Sequence, residues 1–110
     1  MLENDYIRRL LSAIALNSDQ AAYKELFLLL HGRLKQFAYS ILKSNEEAEE
    51  LVSDVFIRIW QKNDQLITIQ SPIFYFYATV KNLALNRLNK QKRQVSLSAE
   101  DWFAQMNSIY

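Results

Sequence analysis

The 110-residue chain has no cysteine, one glycine, one proline and one histidine. The lack of cysteine excludes disulfides, thiolate metal ligands and a thiol nucleophile. Because His31 stands alone, the chain also lacks the histidine pairs and triads of most transition-metal sites and many hydrolases. We therefore expect no enzyme, no catalytic residue, and neither a metal nor another cofactor.

Turn and membrane signals are also scarce. The chain has only one glycine and one proline, the residues that tight turns between strands commonly require. No two-residue hairpin signal occurs either. No stretch approaches the ~20 apolar residues that cross a bilayer, and the N-terminus lacks a basic start followed by an apolar run. These absences predict one all-α domain, cytoplasmic and without membrane insertion.

Apolar residues recur with helical spacing in four stretches of the chain. These stripes span residues 7–14, 23–41, 51–60 and 73–88. Polar caps precede the last three: Asn17-Ser18-Asp19, the capping box Ser44–Glu47, and Ser71 before Pro72. We predict a compact bundle of about four helices over residues 1–94, followed by a linker with a short helix over residues 95–110.

The net charge of +1 hides a segregation of charge along the chain. Residues 46–54 carry acids and no base: Glu46, Glu47, Glu49, Glu50 and Asp54. Residues 65–99 carry bases and no acid: Lys81, Arg87, Lys90, Lys92 and Arg93. This pattern predicts one negative pole and one positive pole.

The acids of the third helix have three interpretations. Their spacing of three to four residues puts Glu47, Glu50 and Asp54 on one side of the helix. The first interpretation is complementarity with the helix dipole, which favours acids in the first turn of a helix. It does not explain Asp54, which lies two turns further along. A docking face for a basic partner is the second interpretation. A carboxylate metal site is the third, but such sites normally draw acids from several helices.

The fourth helix combines cations with a run of aromatic residues, Phe74 to Tyr77. Cations neutralise phosphates, and aromatic rings stack on the exposed bases of single-stranded nucleic acid. Phe76 and Tyr77 lie on the apolar stripe, so we expect them in the core. Phe74 and Tyr75 fall off it, which leaves base contact and surface packing both open. The segment 62–71 is a candidate wall of the same pocket.

Two further side chains have structural interpretations. His31 lies on the longest helix with no visible constellation of partners, so we expect it at the helix surface or in an interhelical hydrogen bond. Trp60 ends an apolar stripe, so we expect it to anchor the third helix.

Two segments resemble bacterial sigma factors of the extracytoplasmic-function (ECF) group. Residues 48–60 read Ala-Glu-Glu-Leu-Val-Ser-Asp-Val-Phe-Ile-Arg-Ile-Trp. They resemble the family's region 2 segment Ala-Glu-Asp-Leu-Val-Gln-Glu-Val-Phe-x-x-x-Trp. Residues 75–88 resemble the helix that follows it, which has a Tyr-Leu-Tyr-x-x-x-Arg-Asn core and a basic tail. Both segments occur in family order and spacing, and the resemblance covers about residues 21–93.

The resemblance implies a helical domain that binds the clamp helices of the largest subunit of RNA polymerase. It also implies capture of the non-template strand of the promoter minus-ten element, with Asn82 helping to hold a flipped-out base. Pattern and resemblance together assign polymerase binding to Glu47, Glu50, Ser53 and Asp54. They assign DNA binding to Phe74, Tyr75, Lys81, Asn82, Arg87, Lys90, Lys92 and Arg93.

The sequence departs from the family pattern at several of these positions. Ser53 stands in place of the usual Gln, and Glu50 and Asp54 exchange the usual Asp and Glu. Asn86 and Asn89 stand where many members carry Asp and Arg. The family continues through a linker to a second helical domain, and the apolar residues of 95–110 could pack against that domain or an anti-sigma factor. The alternative function is a helical adaptor or decoy that binds polymerase or an anti-sigma factor without promoter recognition.

Overall fold

Four α-helices and one short 3-10 helix form the part of the chain that the structure describes. The structure, a computed structural model, describes the backbone of residues 2–95 and the side chains of residues 3–62 and 64–91. The helices are α1 (Leu2–Asn17), α2 (Gln20–Leu42), α3 (Asn45–Lys62), the 3-10 helix (Asn63–Thr68) and α4 (Pro72–Val95). No strand occurs among these residues, so the all-α prediction is confirmed. The predicted helix within 95–110 lies outside the described residues.

Two of the three polar caps predicted from the sequence, those before α2 and α3, form side-chain hydrogen bonds. At α4 the Ile73 N–H donates to Asn4 of α1 instead of to the predicted cap Ser71. The Asp19 side chain accepts a hydrogen bond from the Ala22 N–H at 3.1 Å, and Ser44 Oγ accepts one from the Glu47 N–H at 3.3 Å. These bonds satisfy N–H groups that have no partner within the helix. Only this half of the predicted capping box forms, because the Glu47 carboxylate accepts a hydrogen bond from Gln91 of α4 instead.

The C-terminus of α2 has a strained cap. Lys43 has a φ of 58°, and its N–H donates to the Tyr39 carbonyl at 2.8 Å. This left-handed conformation favours glycine, since a Cβ there is crowded by the backbone. We expect Lys43→Gly to raise the free energy of unfolding by about 0.5–1 kcal/mol in urea titrations. The matched change Lys24→Gly, at an exposed position inside α2, should lower it by about 1 kcal/mol. Destabilisation by both changes would contradict the prediction.

Helix α2 lies at the centre of the bundle and packs against α1, α3 and α4. Its stripe of Leu26, Leu30 and Leu34 is fully buried, as are Phe56 of α3 and Phe76 of α4. Continuous apolar stripes of this kind bury the most surface when three neighbours surround them. The predicted core position of Phe76 is confirmed, because its ring lies 6.0 Å from that of Phe56.

Aromatic and polar contacts fix α3 against α2. The Tyr23 hydroxyl donates to the Phe56 carbonyl at 2.7 Å, and burial raises the pKa of Tyr23. Trp60 packs edge-on against Tyr23 with ring centroids 5.0 Å apart, which confirms its anchoring role. His31 Nε2 lies 2.8 Å from Glu49 Oε2, so the predicted interhelical hydrogen bond is confirmed. No helix in the described part of the chain is long and apolar enough to span a membrane.

Candidate functional site

Helix α4 has a core-facing side and an exposed side, because residues three to four positions apart lie on the same side of a helix. Phe76, Val80 and Ala84 face the core, while Phe74 and Asn82 lie on the opposite, exposed side. Helix α3 runs antiparallel to α4, since Glu47 contacts Gln91 at one end and Lys62 contacts Tyr75 at the other. The outer side of α4 and the contact between α3 and α4 are therefore two distinct surfaces.

The outer side of α4 forms a groove with the segment before it. This outer groove, of about 540 Å³, is lined by Thr68, Ile69, Gln70, Ser71, Phe74, Tyr75, Ala78, Thr79 and Asn82. The structure thus brings Phe74, Tyr75 and Asn82 together with the end of the segment 62–71. Lys81 is exposed on the same helix, next to Asn82. Aromatic, apolar and amide groups therefore line one concavity.

The two aromatic residues of the outer groove, Phe74 and Tyr75, differ in their exposure and in their contacts. Phe74 is 74% exposed. Tyr75 is half-buried, and its hydroxyl accepts a hydrogen bond from Lys62 Nζ at 2.6 Å. That ammonium also lies 5.2 Å from the Tyr75 ring centroid. Tyr75 is held in place as a wall of the groove, whereas the Phe74 ring is open to a ligand.

Side chains of α1 hold the wall of the outer groove. The Arg8 guanidinium donates to the Gln70 carbonyl, and Asn4 Oδ1 accepts from the Ile73 N–H at 3.1 Å. The Asn4 contact satisfies a free N–H in the first turn of α4. Sequence reasoning missed both residues, because nothing in their spacing signals a contact more than 60 positions away.

The acids of α3 form the second candidate surface, the acidic face, defined by Glu47, Glu50, Ser53 and Asp54. Glu50 is largely exposed, and the other three are partly buried. The Arg87 guanidinium of α4 lies 3.4 Å from Glu50 Oε1 and 3.2 Å from Asp54 Oδ2. The prediction of two separate poles is therefore wrong at Arg87, because antiparallel packing puts this base beside the acids. Its assignment to DNA stays a prediction.

A smaller cleft lies beside the acidic face, between α3 and α4. This basic cleft has a volume of about 260 Å³ and is lined by Leu51, Asp54, Arg58, Leu83, Asn86, Arg87 and Lys90. Arg58 was missed from the sequence, although it follows Asp54 by four residues and so shares its side of α3. Lys90, predicted to bind DNA, is exposed at this cleft. The side chains of Lys92 and Arg93 lie outside those described.

No cluster of three or more His, Asp or Glu side chains placed to hold a metal occurs in the described part of the chain. The acids of α3 contact Arg87, Gln91 and His31 rather than one another's carboxylates.

Comparisons with known proteins identify a family for this chain. Residues 26–94 match the family model described as Sigma-70 region 2. The chain is similar to the ECF RNA polymerase sigma factor SigW of Bacillus subtilis (strain 168), with 27% identity over 82 residues. That alignment covers 74% of this chain and 44% of the relative, so the chain spans less than half of the relative's length. No solved structure matches the chain.

Proposed function

The chain belongs to the sigma-70 region 2 family, and from this premise we propose that it is a transcription initiation module without catalytic groups of its own. Its acidic face binds the clamp helices of the largest subunit of RNA polymerase. Its outer groove captures unstacked bases of the non-template strand of the promoter minus-ten element. Because it acts together with polymerase on promoter DNA, we place it in the cytoplasm.

The outer groove is the observation that carries this proposal. An exposed ring at Phe74, the amide of Asn82 and residues 68–71 surround one concavity. A ring stacks on any base, while an amide forms hydrogen bonds with the edge of a particular base. Duplex DNA hides base faces, so this combination favours a strand that has already been opened. Contacts in the groove offset the few kcal/mol that unstacking a base costs.

The distribution of charge supports the same division of labour. The exposed Lys81 stands next to Asn82, where it would neutralise a phosphate of the captured strand. The acids Glu50 and Asp54 repel DNA, so the face that they form suits a basic protein surface. One helix pair thus supports two partners of opposite charge.

The direct test is fluorescence anisotropy of single-stranded minus-ten oligonucleotides, with and without polymerase core, at fixed salt. The proposal predicts sequence-selective binding that the core enzyme strengthens. Core binding without any sequence preference would instead indicate the adaptor or decoy function. Absence of core binding would overturn the proposal.

Phe74→Ala should weaken binding to every oligonucleotide by about 1–3 kcal/mol, because it removes a stacking platform. Asn82→Ala should reduce the preference among sequences, and Lys81→Ala should lower the salt slope by about 0.7. Anisotropy titrations at several salt concentrations separate the three effects. Leu28→Ala, at an equally exposed apolar residue of α2, is the control. Equal losses for Phe74→Ala and Leu28→Ala would contradict a stacking role.

A further inference from the structure

The basic cleft between α3 and α4 contains cations in excess of the acids that line it. Its lining includes Arg58, Arg87 and Lys90 against the single carboxylate of Asp54. The Arg87 guanidinium is already engaged by Asp54 and Glu50. Arg58 and Lys90 make no ion pair within the described part of the chain. Two positive charges therefore border the same small cleft uncompensated by these contacts.

The remaining lining of the cleft suits one anionic group. Leu83, which is partly buried, contributes apolar surface, whereas Leu51 lines the cleft but is only 1% exposed. Apolar walls reduce the water around an ion and strengthen its interaction with the flanking cations. The Asn86 side chain adds an amide donor at the same site. A volume of about 260 Å³ accommodates a side-chain carboxylate or a phosphate group.

We propose that the basic cleft receives a carboxylate side chain of the protein that docks on the acidic face. This inference rests on the proposed function, in which that protein is RNA polymerase. The docking surface then combines acids, at Glu47 and Glu50, with an anion receptor, at Arg58 and Lys90. The matching polymerase surface carries bases together with an Asp or Glu.

A protein carboxylate fits this cleft better than a DNA phosphate does. A nucleic-acid backbone carries a row of charges, so the phosphates that flank a bound one would approach the neighbouring acids. The Glu50 side chain is 69% exposed and that of Asp54 is 50% exposed. Both would repel such a strand, whereas a single carboxylate on a mixed surface meets complementary charge on either side.

The test measures the affinity of polymerase core and of single-stranded DNA for the same variants of the 110-residue chain. Arg58→Ala should weaken core binding about threefold, and Arg58→Glu about tenfold, because the reversal adds repulsion to the lost attraction. Lys90→Glu is a second, independent reversal at the cleft. Arg9→Glu, at an exposed base of α1, is the matched control and should change core affinity little. Thermal unfolding establishes that each variant is folded.

The outcomes separate this inference from the proposed function. Loss of core affinity with unchanged DNA affinity in Arg58→Glu and Lys90→Glu supports the carboxylate receptor. Loss of DNA affinity alone overturns it in favour of a phosphate site. Unchanged core affinity in both variants, while the wild-type chain binds core, overturns it and leaves the proposed function standing. If the wild-type chain does not bind core, the proposed function fails and the inference fails with it.

Discussion

The double substitution Glu50→Lys and Asp54→Lys is expected to weaken binding to polymerase core by at least about 100-fold. Both carboxylates are exposed enough to meet a partner, and each uses one oxygen on Arg87 while the other oxygen is free of that contact. Reversal places two cations opposite a basic surface, and like charges across an interface cost several kcal/mol. The loss should appear in the equilibrium titration of labelled chain with core enzyme.

A stability measurement must accompany that titration, because the same acids hold Arg87. Exposed ion pairs contribute about 0–1 kcal/mol each, so the variant should remain folded. The double change Asp5→Lys and Glu25→Lys alters net charge equally at exposed acids of α1 and α2 and serves as the control. If the two double variants bound core equally well, overall charge rather than the acidic face would govern the interaction.

The second large effect is expected at the centre of the core. Phe56→Ala should lower the free energy of unfolding by about 3–5 kcal/mol, through lost apolar burial and the cavity that remains. The Phe56 ring is 2% exposed and lies 5.0 Å from that of Phe27 and 6.0 Å from that of Phe76. Three helices therefore lose contacts together. Since domains of this size are stable by only 5–15 kcal/mol, urea unfolding will detect the change easily.

Leu16→Ala is the matched control for Phe56→Ala. Leu16 is 69% exposed near the end of α1, so its truncation should change stability by less than about 0.5 kcal/mol. A loss below about 1.5 kcal/mol for Phe56→Ala would mean that the three helices repack around the cavity. In that case the core would be far more adaptable than close packing allows.

Local sequence signals predict this fold well, because caps and stripes act over a few residues. Asp19 and Ser44 begin α2 and α3 through contacts three positions away. The segment 62–71 was harder, since its first part forms a 3-10 helix that the lost apolar pattern did not indicate. Short 3-10 turns have no strong periodicity by which to be recognised.

The candidate surfaces were predictable to a smaller extent. Phe74 and Asn82 follow from helical spacing, whereas the groove wall depends on contacts of α1 that span more than 60 positions. Arg87 did carry a signal, because it lies seven residues after Val80 and three after Ala84 and so continues the buried stripe of α4. Its charge suggested an outward position, but tertiary packing brought it onto α3. The spacing of Arg58 from Asp54 places both on one side of α3, but it does not show that Leu83, Asn86 and Lys90 of α4 complete a cleft there.

The dependence of the groove wall on α1 has a consequence for local opening of the protein. Asn4 and Arg8 precede the family match, which begins at residue 26, yet they hold Gln70 and the Ile73 N–H. Undocking of α1 would break the hydrogen bond between Asn4 and that amide. We therefore expect exchange of the Ile73 amide with deuterated solvent to report on the attachment of α1.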